Sequence, residues 1–198
     1  MRWRSPPWDE VVYCALDLET SGLRPRGDEI LSLAAIPIRG GVIRYGERFA
    51  SAVRPPDPEG LSQAGLRAHH LLPGDLAAAP ALPELLPRLD ARLREGVLLL
   101  HHAPLDLAFL RRAYRQAGAR WPRPPVVDTV TLLRRLERRL HLLQAYPAPL
   151  PLALGAARAR LGLPPHHQHD ALADALATAE LFLVLRARLG VERLRGLL

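Results

Sequence analysis

Val11-Val12-Tyr13-Cys14-Ala15-Leu16-Asp17-Leu18-Glu19-Thr20-Ser21-Gly22 is the stretch that decides the fold. Apolar residues run from Val11 to Leu18 with no break before Asp17, the pattern of a strand buried on both faces. Residues two apart on a strand point the same way, so Asp17 and Glu19 project together while Leu18 packs opposite. Two carboxylates side by side repel unless a cation lies between them, and oxygen donors suit Mg2+ or Mn2+. The alternative is an edge strand carrying solvated acids. Acids that close an otherwise apolar strand favour the metal. Gly22 permits a tight turn, and the Thr20 and Ser21 hydroxyls with nearby amides can meet a phosphate or sugar.

Outward from this strand the pattern stays regular. Ile30 to Ile38 and Val42 to Ala52 read as two more strands, joined through Gly40-Gly41 in a hairpin. Leu82 to Leu93 has helical apolar spacing, and Val97 to Leu100 is a short apolar strand. Pro104 to Gly118 reads as a helix with Pro in its first turn and Gly at its end. Val126-Val127 is a short strand, followed by helices over Thr129 to Leu143, Leu152 to Leu161 and Ala171 to Leu189. Proline clusters mark the loops, as at Pro122 to Pro125 and Pro164-Pro165. An antiparallel start followed by strand–helix alternation predicts an α/β fold, a mixed sheet flanked by helices. The 198 residues show no internal boundary and predict a single domain over 1–198.

Composition narrows the function. There are 27 basic and 20 acidic residues, a net charge of +7, and every basic residue is Arg. Such a charge fits a polyanionic partner such as nucleic acid, or a GC-rich genome that favours Arg on any surface. Arg134, Arg135, Arg138 and Arg139 lie opposite the leucines of their helix, and Arg111, Arg112 and Arg115 cluster on another. They read either as a track for a phosphate backbone or as solvated helix faces. The single Cys14 allows no intramolecular disulfide and no Cys-based zinc site. Met1 to Glu10 lacks the apolar core of a signal peptide, and no apolar run approaches ~20 residues, so a cytoplasmic protein is expected.

Two further segments carry acids. His101-His102-Ala103-Pro104-Leu105-Asp106 follows a strand and opens a helix, where Asp106 either serves a site or simply faces the helix dipole. His169-Asp170-Ala171-Leu172-Ala173-Asp174 opens the last long helix. His169 and Asp174 are five positions apart, so they converge only if His169 sits in the loop before the helix. His166, His167 and His169 also read as a transition-metal cluster or as exposed loop histidines.

Taken in order, Asp-x-Glu-Thr-Ser-Gly, His-x-Ala-x-x-Asp and His-x-Ala-x-x-Asp-Ala resemble the DEDDh group of 3′–5′ exonucleases. That group includes the proofreading epsilon subunit of bacterial DNA polymerase III, ribonuclease T and oligoribonuclease. The resemblance spans roughly residues 10 to 190 and implies a ribonuclease H-like fold, a five-stranded mixed sheet with helices around it. It implies that Asp17, Glu19, Asp106 and Asp174 bind two Mg2+ or Mn2+ ions and that His169 is the general base. It places Thr20, Gly22, Leu23, His69 and Leu105 at the substrate. His102 stands where the group usually has Asn, Leu105 where Phe is common, and His70 where Gly is usual. Asp128 is expected to be structural, as a cap or loop anchor.

The implied reaction is hydrolysis of nucleic acid, with single-stranded DNA expected, from the 3′ end to nucleoside 5′-monophosphates. The alternatives are an RNA-directed exoribonuclease, a binding module without catalysis, and a proofreading subunit on a DNA polymerase. The short stretch after the last helix shows no polymerase-binding tail, so a free enzyme is expected.

Overall fold

The computed structural model describes residues 5–57, 73–143 and 148–198. The strands are β1 (Tyr13–Thr20), β2 (Ile30–Arg39), β3 (Val42–Ile43), β4 (Phe49–Ala52), β5 (Val97–Leu100) and β6 (Val126–Asp128). The helices are α1 (Pro73–Ala78), α2 (Leu82–Arg94), α3 (Ala103–Gln116), α4 (Thr129–Leu143), α5 (Leu154–Arg160) and α6 (Ala171–Leu189). The expected α/β class is the observed one.

The sheet order is β3-β2-β1-β5-β6, with β4 also on β2. β1 pairs antiparallel with β2 and parallel with β5, and β6 extends the sheet in parallel. The expected five strands are therefore six segments, and the expected continuous strand Val42 to Ala52 is two. Pro37 explains the break. Its carbonyl accepts from Arg44 N at 2.8 Å, so it points toward the edge strand. In an antiparallel ladder the amide of that residue points the same way, and proline has none to give. β3 pairs with Ile38 and Arg39, β4 pairs with Ser32 to Ala35, and a 3-10 turn at Tyr45–Glu47 bridges the gap.

Alternation along β1 splits the interior into two layers. Cys14, Leu16 and Leu18 pack with Leu85, Leu89, Phe109 and Leu110 from α2 and α3. Tyr13 and Ala15 pack with Leu132, Leu136, Phe182 and Leu185 from α4 and α6. Cys14 is buried, and its burial pushes the thiol up to about 12, so it is an inert core residue. Among the described residues, no helix is long and apolar enough to cross a membrane.

Asp128 fastens the second layer to the first. It accepts from the backbone amides of His102 and Ala103, which open α3, and from Val130 in the first turn of α4, at 2.9–3.2 Å. One carboxylate thus caps two helices at the carboxyl end of the sheet. It has the structural role expected of it.

Candidate active site

Asp17 and Glu19 continue the Tyr13–Ala15 face of β1, the face that α6 covers. Asp17 lies opposite Ala34 in register, and Ala34 packs with Ala171 and Ala175 of α6. Three methyl-sized side chains let the helix come close to the sheet, and this carries Asp174 over the end of β1. One carboxylate oxygen each from Asp17, Glu19 and Asp174 then lies within 4.8 Å of the others. The ladder shifts register between Glu19 and Thr20, so the chain turns away just past the second acid.

Asp106 sits in the first turn of α3, directly beyond β5. It does not contribute one of the three oxygens that converge, but it acts on Asp17 electrostatically. Burial pushes the Asp17 carboxyl well above the usual range, and Asp106, Glu19, Asp174 and Asp170 add to the push. Asp106 itself is pushed up to about 7, mainly by burial, with Asp128 and Glu19 adding. Asp174 is also raised by burial, and a hydrogen bond from His166 opposes the shift. Half-buried acids that resist ionising together form a donor set that fits a divalent cation, which relieves the repulsion and takes oxygen ligands.

Asp17, His101, His166, Gln168, His169 and Asp174 line a cavity of about 470 Å³. His169 adopts a left-handed backbone conformation with φ of 64°. Its amide donates to Asp174 Oδ2 at 3.0 Å, which brings it beside the acid as the loop reading required. His166 also reaches Asp174, with Nε2 at 2.7 Å from Oδ1. Sequence spacing did not pair these two. The seven residues between them lie partly in a loop, where no fixed interval applies, and the loop includes the left-handed turn at His169. Burial lowers the His101 pKa, so its ring is neutral. Its Nε2–H donates to Leu152 O at 2.8 Å, and its Nδ1 lies in hydrogen-bond contact with the Thr129 hydroxyl at 2.7 Å.

The turn after β1 is built mainly from its own contacts. Thr20 Oγ1 donates to Gly22 O at 2.7 Å, and Ser21 Oγ accepts from Glu29 N at 2.9 Å. A Cβ on Gly22 would meet the Asp28 carboxylate at 2.5 Å, so a larger residue would push that side chain off its contacts with Arg24. Leu23 is 77% exposed at the tip, an apolar side chain with no core to join. Leu105 is half-buried and packs against the core beneath α3. His69 lies outside the described residues.

His102 also has a left-handed backbone, with φ of 67°. Asn and His both tolerate that conformation better than most residues, which gives a physical reason for one to replace the other. Several of the arginines prove structural. Arg112 donates to Pro25 O and Asp28 O and pairs with Glu29, tying α3 to the turn after β1. Arg135 donates to Gly196 O, and Arg139 donates to the last carbonyls of α6.

The sequence matches the exonuclease family model (RNase T) over residues 14–182. The chain belongs to this exonuclease family. A relative, the DNA polymerase III subunit epsilon-like protein of Rhodobacter capsulatus, is 36% identical over 182 residues, 90% of this chain and 24% of that protein. The chain spans only 13–27% of the length of several such curated relatives. Among solved structures, E. coli exonuclease I in complex with a dT13 oligonucleotide superposes with a TM-score of 0.75. It is 17% identical and aligns with 91% of this chain and 42% of that one. Exonuclease X in complex with 5′ overhanging duplex DNA gives a TM-score of 0.66 at 22% identity, over 92% of this chain and 94% of that one. The resemblance read from the three motifs and the ribonuclease H-like fold are both borne out.

Proposed function

We propose that this chain is a divalent-metal-dependent 3′–5′ exonuclease acting on single-stranded DNA as one catalytic unit in the cytoplasm. The observation that carries the reading is the convergence of Asp17, Glu19 and Asp174 within 4.8 Å, with Asp106 acting on them and His169 at the same cavity. Asp17, Glu19 and Asp174 would hold one Mg2+ or Mn2+ ion, and Asp106 would complete the site for a second. Such ions, when bound, supply Lewis-acid stabilisation of the charge that develops on the scissile phosphate.

The protein's own groups do the rest. His169 takes a proton from the attacking water, whose oxygen bonds to phosphorus as the bond to the 3′ oxygen breaks. The leaving 3′ oxygen takes a proton from solvent, and the products are a nucleoside 5′-monophosphate and a strand with a new 3′ hydroxyl. Leu23 offers an exposed apolar surface on which the last base can stack without reading sequence. Polymerase association is a second reading, favoured by the epsilon-like relative.

The test uses matched single-stranded DNA and RNA oligonucleotides labelled at either end, with Mg2+, Mn2+ or EDTA. The reading expects a shortening ladder from 5′-labelled DNA and labelled mononucleotide from 3′-labelled DNA. Both should be lost in EDTA and in Asp17→Ala. Shortening from the 5′ end, or activity in EDTA, refutes it. Faster loss of RNA replaces the DNA assignment.

A further inference from the structure

We propose that His166 is a positioning residue that holds the Asp174 carboxylate in its metal-binding orientation; the proposal rests on the metal reading of the site given above. His166 lies eight residues before Asp174, on the loop between α5 and α6, and the loop's first part is firmly held. Arg158 of α5 is 1% exposed, pairs with Glu180 at 2.7 Å and donates to Ala177 O at 2.8 Å. Its Nη2 reaches Pro164 O at 3.1 Å, which fixes the chain two residues before His166. The His166 side chain is then only 9% exposed.

The carboxylate of Asp174 is gripped from two sides. His166 Nε2–H donates to Oδ1 at 2.7 Å, and His169 N–H donates to Oδ2 at 3.0 Å. Each oxygen accepts one hydrogen bond and keeps a lone pair for a cation. The side chain therefore cannot rotate freely before an ion arrives. The second ring nitrogen, Nδ1, is buried with no hydrogen-bond partner. An orphaned buried acceptor costs about 1–3 kcal/mol, so packing alone favours an apolar side chain here. The imidazole earns its place through Nε2. Outer partners that orient a metal ligand typically change metal affinity about 10–100-fold.

The experiment measures Mn2+ binding to the full chain without nucleic acid, by the loss of the free Mn2+ signal in electron paramagnetic resonance. His166→Ala should weaken Mn2+ binding by about 10–100-fold. His166→Gln, whose amide N–H can reach the same oxygen, should recover most of the loss. His166→Phe keeps the ring volume but has no donor, and should bind as poorly as His166→Ala. The proposal is overturned if His166→Ala binds Mn2+ as the wild type does or more tightly, or if His166→Gln restores nothing. It is also overturned if His166→Phe restores binding, because that would make the role one of packing. If the wild type takes up no Mn2+, the metal reading of the site fails and the proposal falls with it.

Discussion

Replacing Asp17 by Asn should make the metal-free protein more stable while abolishing its chemistry. Asp17 has two acids with oxygens within 4.8 Å, and at an effective dielectric of ~20 each ionised pair repels by about 3.5 kcal/mol or more. Protonation offers an escape, but holding a proton at pH 8 on a carboxyl of ordinary pKa 3.8 costs about 5–6 kcal/mol. The wild-type fold therefore carries a penalty of about 4–6 kcal/mol at pH 8. The variant avoids it but leaves a buried amide short of partners, which costs about 1–3 kcal/mol. The net gain is about 1–5 kcal/mol, or about 2–20 °C in melting temperature. The sign with pH follows from the raised folded pKa of Asp17. Below its unfolded pKa both proteins carry a neutral side chain and the gain vanishes; it grows as pH rises above that value. Mn2+ at ~100 times its dissociation constant adds about 2.7 kcal/mol per site to the wild type alone, narrowing or reversing the order. Calorimetry at pH 5 and pH 8, in EDTA and in Mn2+, reads all of these terms. A variant that melts below wild type in EDTA at pH 8, or Mn2+ that raises both equally, refutes the reasoning.

Three other outcomes are expected. Asp128→Ala removes the acceptor for three backbone amides at two helix starts and should cost about 2–4 kcal/mol in urea unfolding; a loss under about 0.5 kcal/mol would count against its capping role. Because Asp106 is pushed up to about 7, Mn2+ must displace a proton below that pH. Affinity should rise by up to ~tenfold per pH unit toward 7, and titration calorimetry in buffers of different ionisation heat should detect proton release at pH 6. His169→Ala should cut kcat by about 10²–10⁴-fold with little change in Mn2+ affinity; an unchanged pH–rate profile would exclude it as the base.

Much of the architecture was legible because apolar periodicity follows burial directly. β5, α4 and α6 have the bounds that the sequence pattern predicts. The acids Asp17 and Glu19 were legible as a pair because strand alternation is local. The edge strand was misread because its break depends on which way Pro37 faces, a property of the ladder and not of residues 42 to 52. Helix α1 was not anticipated; its six residues are too few to show a period. His166 was singled out only as one of three loop histidines; its pairing with Asp174 escaped because a loop has no fixed interval, and the left-handed residue in that loop is a histidine rather than the glycine that would have signalled a turn.

The charge balance looks different once the arginines are placed. Of the seven singled out in the sequence, Arg112, Arg135 and Arg139 are occupied with backbone carbonyls, and so act as structural pins. Arg111, Arg115, Arg134 and Arg138 remain exposed, so of the seven these are the ones open to a phosphate backbone. The net +7 attracts a polyanion over the whole surface, whereas the site itself gathers four acids. Cations filling the acidic site would reconcile attraction at long range with repulsion at the reacting phosphate. On the proposed function the steering charge and the metal requirement would be one arrangement: exposed arginines would bring the strand in, and bound cations would let its end settle.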